Sequence, residues 1–345
     1  MDRLRSIQHL RALAALSVVL YHACQWSNAG FAIGAAGVDV FFIISGFSMW
    51  MAVQDRDLSI KDFLRRRVWR VVPAYWLVTL ILTALALAWP RLFPHVYVQP
   101  LHLLLSLAFI PHTDPVGLPF PLLPVGWSLN YEAIFYLLVA ASLAEIPRRR
   151  FGRIGWSLAG VALFGVIVRP TFYLFANPMM FQFLAGAAIA RALLQRRLPR
   201  HGAGWGLLAA GLGAFFYLSF FDLYGSLWRP FLWGAPAALI VAGAVSLEAQ
   251  GSWGRSRALE GLGEASYSIY LCHWPVVVAL SQIVGVRQPW LFVPLAFVLS
   301  VAAGLVCWRL VERPLAGLWR SPPRANPTPG SAAPIPTGSA SMRLD

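Results

Sequence analysis

Residues 11–22 read RALAALSVVLYH, and the fold turns on what kind of segment opens with an arginine, closes with a histidine and is apolar in between. Its flanks extend the apolar run to about residues 7–27, long enough for a bilayer crossing, which needs about 20 such residues. The rest of the chain has the same character. Of 345 residues, 58% are hydrophobic and only 12% charged, with a mean hydropathy of +0.63. A soluble domain has too little polar surface to cover that composition. The expected fold class is therefore all-α: a polytopic integral membrane helix bundle.

Nine further candidate spans lie near 34–54, 71–90, 126–146, 154–174, 177–195, 204–222, 228–248, 265–285 and 289–311, making about ten transmembrane helices. The stretch LHLLLSLAFIP (101–111) has about half the length of a crossing and reads as a half-span. Loop charge supports this count. The basic stretches KDFLRRRVWR (61–70), PRRRFGR (147–153), ARALLQRRLPRH (190–201), GRSRALE (254–260) and RLVERPLAGLWR (309–320) then fall on the same side as the N-terminal MDRLR. That is the pattern of cytoplasmic loops, with both termini cytoplasmic. A net charge of +14 distributed this way offers no long basic face for nucleic acid.

The transmembrane domain is expected over residues 1–320. The tail from 321 to 345, SPPRANPTPGSAAPIPTGSASMRLD, has almost nothing to bury and reads as disordered. The odd set of Cys24, Cys272 and Cys307 lies in apolar runs and suggests packing rather than disulfides or zinc. No metal is expected, because the ionisable residues lack metal-site spacing. No internal repeat of the kind that marks many transporters is visible.

Arg11 and His22 are eleven residues apart, so they share nearly one helix face and are separated by about 16 Å along the axis. Each alone is compatible with an interfacial residue, but ionisable groups inside a membrane are costly and default to functional candidates. Asp39, in GAAGVDVFFIISGF, and Glu132, in PVGWSLNYEAIFYLL, are expected at the depth of His22. A carboxylate beside an imidazole there can orient a general base. Arg67 and Arg70, in FLRRRVWRVVPAYW, stand at i, i+3 and suit either phosphate binding or the topology signal. His273 lies inside span nine, with Tyr267 and Tyr270 nearby in SYSIYLCHWP.

The ordered series SIQHLRALAALSVVLYH, GAAGVDVFFIISGF, FLRRRVWRVVPAYW, GWSLNYEAIFY and SYSIYLCHWP resembles the membrane-bound acyltransferase family 3 over about residues 5–315. Within it the chain is most similar to exopolysaccharide, succinoglycan-type O-acetyltransferases. The resemblance implies transfer of an acyl group, usually acetyl from acetyl-CoA, to a sugar hydroxyl of a glycan or lipid-linked sugar at the bacterial cytoplasmic (inner) membrane.

The family's Arg-x10-His pair falls on Arg11 and His22, its Arg-x-x-Arg motif on Arg67 and Arg70, and its Ser-Leu-x-x-Glu motif on Ser128, Leu129 and Glu132. It implies His22 as general base, oriented by Glu132 or Asp39. Arg67 and Arg70 would hold coenzyme A phosphates, and Arg11 would hold the donor or the thioester oxygen. His273 and Tyr270 join the donor site, and His273 is the reserve base. Donor chemistry in the cytoplasm and His22 in the outer half leave two routes open, a pantetheine arm threading the bundle or an acyl-histidine relay. Two rival readings are a proton-coupled transporter or flippase of a glycan-export system, and a non-enzymatic export scaffold.

Overall fold

A computed structural model describes residues 4–54, 58–167, 177–199, 202–221, 223 and 228–318, and among these every regular element is helical. The principal helices are α1 (Arg5–Trp26), α2 (Gly37–Val53), α3 (Ile60–Ala88), α4 (Pro100–Leu107), α5 (Trp127–Ser142) and α6 (Pro147–Ile167). They continue with α7 (Phe181–Leu194), α8 (Ala203–Leu218), α9 (Gly234–Ala249), α10 (Arg257–Ile283) and α11 (Pro289–Cys307). A helical turn at Arg229–Leu232 precedes α9, and a π-helical turn at Trp308–Glu312 follows α11.

Each of the ten apolar stretches overlaps one of these helices, with residues 168–174 of the fifth and 222 of the seventh lying outside the described residues. Among the described residues, five helical segments are by length and composition able to cross a bilayer: Ala32–Val53, Ile60–Ala88, Pro147–Ile167, Arg229–Ala249 and Pro289–Leu315. The stretch expected as a half-span is the eight-residue α4, only about 12 Å long. The proline-rich tail lies outside the described residues.

α1 stands at the centre, packed against α10, α2, α11 and α9. Its small side chains Ala12, Ala15 and Ala23 are fully buried, which lets neighbouring backbones approach. Outward faces carry large apolar residues such as Trp156, Ile167, Phe216 and Leu310, each more than two-thirds exposed. Facing hydrocarbon, such side chains carry no solvation cost, and the bundle is an integral membrane protein.

α3 is longer than the span read from hydropathy, because its N-terminus is capped well before the apolar run. The Ser59 hydroxyl accepts from the Asp62 amide at 3.0 Å, satisfying an orphan donor of the first turn. The basic run 61–70 is therefore helical and continuous with the span. Ser256 caps α10 in the same way through Leu259 N.

α2 and α7 meet through a reciprocal pair of glycines. A Cβ on Gly46 would lie 1.8 Å from the carbonyl oxygen of Phe183, and one on Gly186 would lie 1.8 Å from that of Ile43. The two backbones are in direct contact, in the close-approach mode that small residues permit between membrane helices.

Candidate active site

Two cavities enter the bundle along α1. One, of about 70 Å³, is lined by Arg11, Arg70, Ser45, Ser128, Glu132 and Tyr136, and is here called the arginine pocket. The other, of about 530 Å³, has His22 on its wall and is here called the histidine pocket. Val38 and Tyr270 line both. The pockets therefore abut at these two side chains, between the two polar residues of α1.

In the arginine pocket, Arg11 Nε donates to Ser266 Oγ at 3.1 Å. Glu132 Oε1 accepts from Ser45 Oγ at 3.1 Å and from the hydroxyl of Tyr136, one turn along α5. Arg70 is exposed at the mouth, whereas Arg67 is partly buried one turn behind it. The Arg67 guanidinium lies over the rings of Phe63 and Tyr136, 5.5 and 5.9 Å from their centroids. Its Nε is buried without a hydrogen-bond partner among the described residues. A buried donor left open beside two further guanidiniums fits an anionic group such as a phosphate.

At the other end of the site, His22 lines the histidine pocket together with Gln25, one turn along α1. The His22 ring centroid lies 5.1 Å from that of His273. His273 is fully buried, and its Nδ1 donates to the Tyr270 carbonyl at 2.6 Å, which assigns the proton to Nδ1 and leaves Nε2 with its lone pair. That Nε2 has no partner among the described residues. The Tyr270 hydroxyl donates to Val125 O at 2.8 Å and lies 2.9 Å from Ser128 Oγ, so α5 and α10 are tied together where the two pockets abut.

The sequence pattern of the family described as "Acyltransferase domain" matches residues 4–309. This chain belongs to that family, and it is an acyltransferase. It is 37% identical over 309 residues to the exopolysaccharide production protein ExoZ of Rhizobium meliloti (strain 1021), covering 86% of this chain and 94% of that one. It is 28% identical over 336 residues to the putative membrane-bound transacylase BcsY of Komagataeibacter xylinus, covering 90% and 83%. With the peptidoglycan O-acetyltransferase OatA of Listeria monocytogenes it shares 26% identity over 354 residues, covering 90% of this chain but 55% of that protein. The chain thus spans about half the length of that peptidoglycan relative. No solved structure matches it.

Two expectations about the acyltransferase site need correction. Asp39 does not stand by to orient His22: it is fully buried, accepting from Gln182 Nε2 at 2.7 Å and from Arg229 Nη2 at 3.1 Å. Two donors from elements over 140 residues away occupy its two oxygens, because a buried carboxylate needs such partners. Glu132, expected at the level of His22, instead shares the arginine pocket with Arg11, where Ser45 and Tyr136 hold it. Across the bundle, the His22 ring is met by the tilted ring of His273.

Asp39 therefore has a structural consequence that can be measured. Asp39→Ala leaves the Arg229 charge buried without its carboxylate, a loss of about 3–5 kcal/mol, expected as a clear fall in Tm of the purified protein in detergent. An unchanged Tm would show that the pair contributes nothing. Restoring stability with Asp39→Ala/Arg229→Met would assign the loss to the stranded charge.

Glu312 is the residue sequence reasoning missed. The π-helical turn after α11 brings its carboxylate to Ser268 Oγ, which donates at 2.7 Å, and within electrostatic reach of Arg11 and Arg70. The available signal was a glutamate inside an otherwise basic stretch, RLVERPLAGLWR, directly after an apolar span. Among the described residues no three His, Cys, Asp or Glu side chains cluster as a metal set.

Proposed function

We propose that this acyltransferase moves an acyl group, in the first instance acetyl, from acyl-CoA to a sugar hydroxyl of an exopolysaccharide or other surface glycan precursor. The observation that carries the reading is the pair of abutting pockets, one cationic and one built around His22, sharing Val38 and Tyr270. The printed functions of the relatives, exopolysaccharide production and peptidoglycan O-acetylation, support the acceptor class. The setting is a bacterial cytoplasmic membrane crossed about ten times with both termini inside, supported by the side on which the basic loops fall. In that orientation the arginine pocket faces the cytoplasm, where acyl-CoA is made, and the histidine pocket faces outward.

Each group then has a task. Arg67 and Arg70 hold the anionic end of the donor through charge-assisted hydrogen bonds, with Glu132 and Glu312 as counter-charges that keep the guanidiniums in place. Arg11, deeper in the same pocket, adds positive charge that holds the donor between the guanidiniums at the mouth and the point where the pockets abut. The acceptor oxygen bonds to the acyl carbon, the carbon–sulfur bond breaks, the hydroxyl proton passes to the His22 imidazole, and that proton leaves with the thiol. Gln25 and His273 position the His22 ring for the transfer.

The test is transfer of labelled acetyl from acetyl-CoA by the purified protein in detergent. Arg70→Ala is expected to raise KM for acetyl-CoA about 10- to 100-fold, the range of one lost hydrogen bond to a charged group. No turnover of acetyl-CoA by the wild type would overturn the reading in favour of a transporter. An unchanged KM would remove Arg70 from the donor site.

A further inference from the structure

The histidine pocket has a chemistry of its own that the donor reading does not use. Its cavity of about 530 Å³ lies within the range of small-ligand sites, about 300–1,000 Å³. Trp26, His95 and Tyr97 form an aromatic wall on one side, with the Trp26 and His95 ring centroids 5.9 Å apart. Tyr97 is 37% exposed and lines the same cavity. Flat rings of this kind present broad apolar faces with polar edges, which match the C–H face and hydroxyl rim of a pyranose.

The polar groups around those rings are mostly uncharged. His112 Nδ1 donates to the Ile110 carbonyl at 2.7 Å, so in the neutral ring its Nε2 accepts a hydrogen bond from His102 Nδ1, also at 2.7 Å. That relay leaves His102 Nε2 as an acceptor on a ring that lines the cavity. The Arg229 charge on the cavity wall is met by Asp39 at 3.1 Å, and Asp114, also on that wall, adds a carboxylate. Among the described residues that line it, Arg229 is the one arginine or lysine and its charge is met by Asp39, in contrast to the arginine pocket.

We infer that the histidine pocket is the acceptor subsite and seats a neutral hexopyranose unit, stacked on Trp26 and Tyr97 and hydrogen-bonded by His102, with one hydroxyl turned to His22. The inference deepens the acyl-transfer reading and rests on it. Donor and acceptor are then separated by chemistry: phosphates go to the guanidiniums, the polyol goes to the rings, and the reacting atoms meet beside Val38 and Tyr270.

The experiment uses purified full-length protein, labelled acetyl-CoA and, as acceptor, oligosaccharides of the host's exopolysaccharide stripped of O-acetyl groups by mild alkali. Trp26→Ala and Tyr97→Ala are each expected to raise KM for the oligosaccharide about tenfold with KM for acetyl-CoA little moved. Because Trp26 also packs against the core, Trp26→Tyr supplies the conservative control and should retain near wild-type KM. Tyr97 stands in a loop between helices, so its truncation tests the wall without a helix at stake. Wild-type turnover with unchanged oligosaccharide KM in both alanine variants would overturn the subsite and leave the acyl-transfer reading standing. A wild type inert toward acetyl-CoA would overturn both.

Discussion

Replacing His22 with alanine is expected to lower O-acetyl transfer by about 10²- to 10⁴-fold, the usual contribution of a positioned general base, with the protein still folded. The expectation follows from place as much as from residue type. His22 is partly buried yet lines the open cavity, so an incoming hydroxyl can reach it. His273, the other imidazole of the pair, is fully buried behind it. Its Nδ1 is committed to the Tyr270 carbonyl, which fixes one tautomer and directs the basic Nε2 away from that bond. The division is between a ring that meets substrate and one that positions it. The measurement is acetyl transfer at matched quantities of monodisperse protein, wild type against His22→Ala. Full activity in the variant would end the assignment and move the base to His273.

The second large effect is on folding. Gly46→Leu or Gly186→Leu is expected to abolish recovery of folded protein, because any Cβ at either position would lie 1.8 Å from a backbone oxygen of the facing helix. A carbonyl held in a helix cannot rotate aside as a side-chain end can, so α2 and α7 must separate. Overpacking in a well-packed interior already costs about 1–3 kcal/mol where side chains can adjust, and here only backbones can. The separation would also pull Gln182 of α7 from Asp39 of α2, now bonded at 2.7 Å. Yield and size-exclusion profile after detergent extraction report the outcome. A normal monodisperse peak from either variant would show that the helices are not in contact as described.

Much of the architecture was legible in the chain because hydrocarbon imposes one rule on every spanning segment. Apolar length alone located ten helices, and the shortness of LHLLLSLAFIP set α4 apart. Arg11 and His22 were legible for the opposite reason, since each is expensive where it stands and one helix carries both. Pairings across long separations were not legible. Asp39 meets Arg229 at a separation of 190 residues, and nothing local to GAAGVDV distinguishes a carboxylate that serves a histidine from one that locks two helices.

Glu132 was misplaced in depth for a related reason. α5 begins at Trp127, so the place of Glu132 more than a turn along its own helix was legible, but the residues it meets were not. Its neighbours there, Ser45 and Arg11, come from other helices whose depths the sequence does not set against one another. Glu312 was hidden by its surroundings, because a basic stretch following a span reads as a topology signal. Only the π-helical turn turns that one acidic residue back toward the arginines.

The central claim is that donor and acceptor approach along different pockets and react where these abut. Sealed proteoliposomes test it most directly, with acetyl-CoA enclosed in the lumen and the de-O-acetylated oligosaccharide supplied only outside. The account predicts acetylated oligosaccharide outside without release of acetyl-CoA from the lumen, and its loss in His22→Ala. Acetylation that appears only when both substrates share one compartment would contradict it.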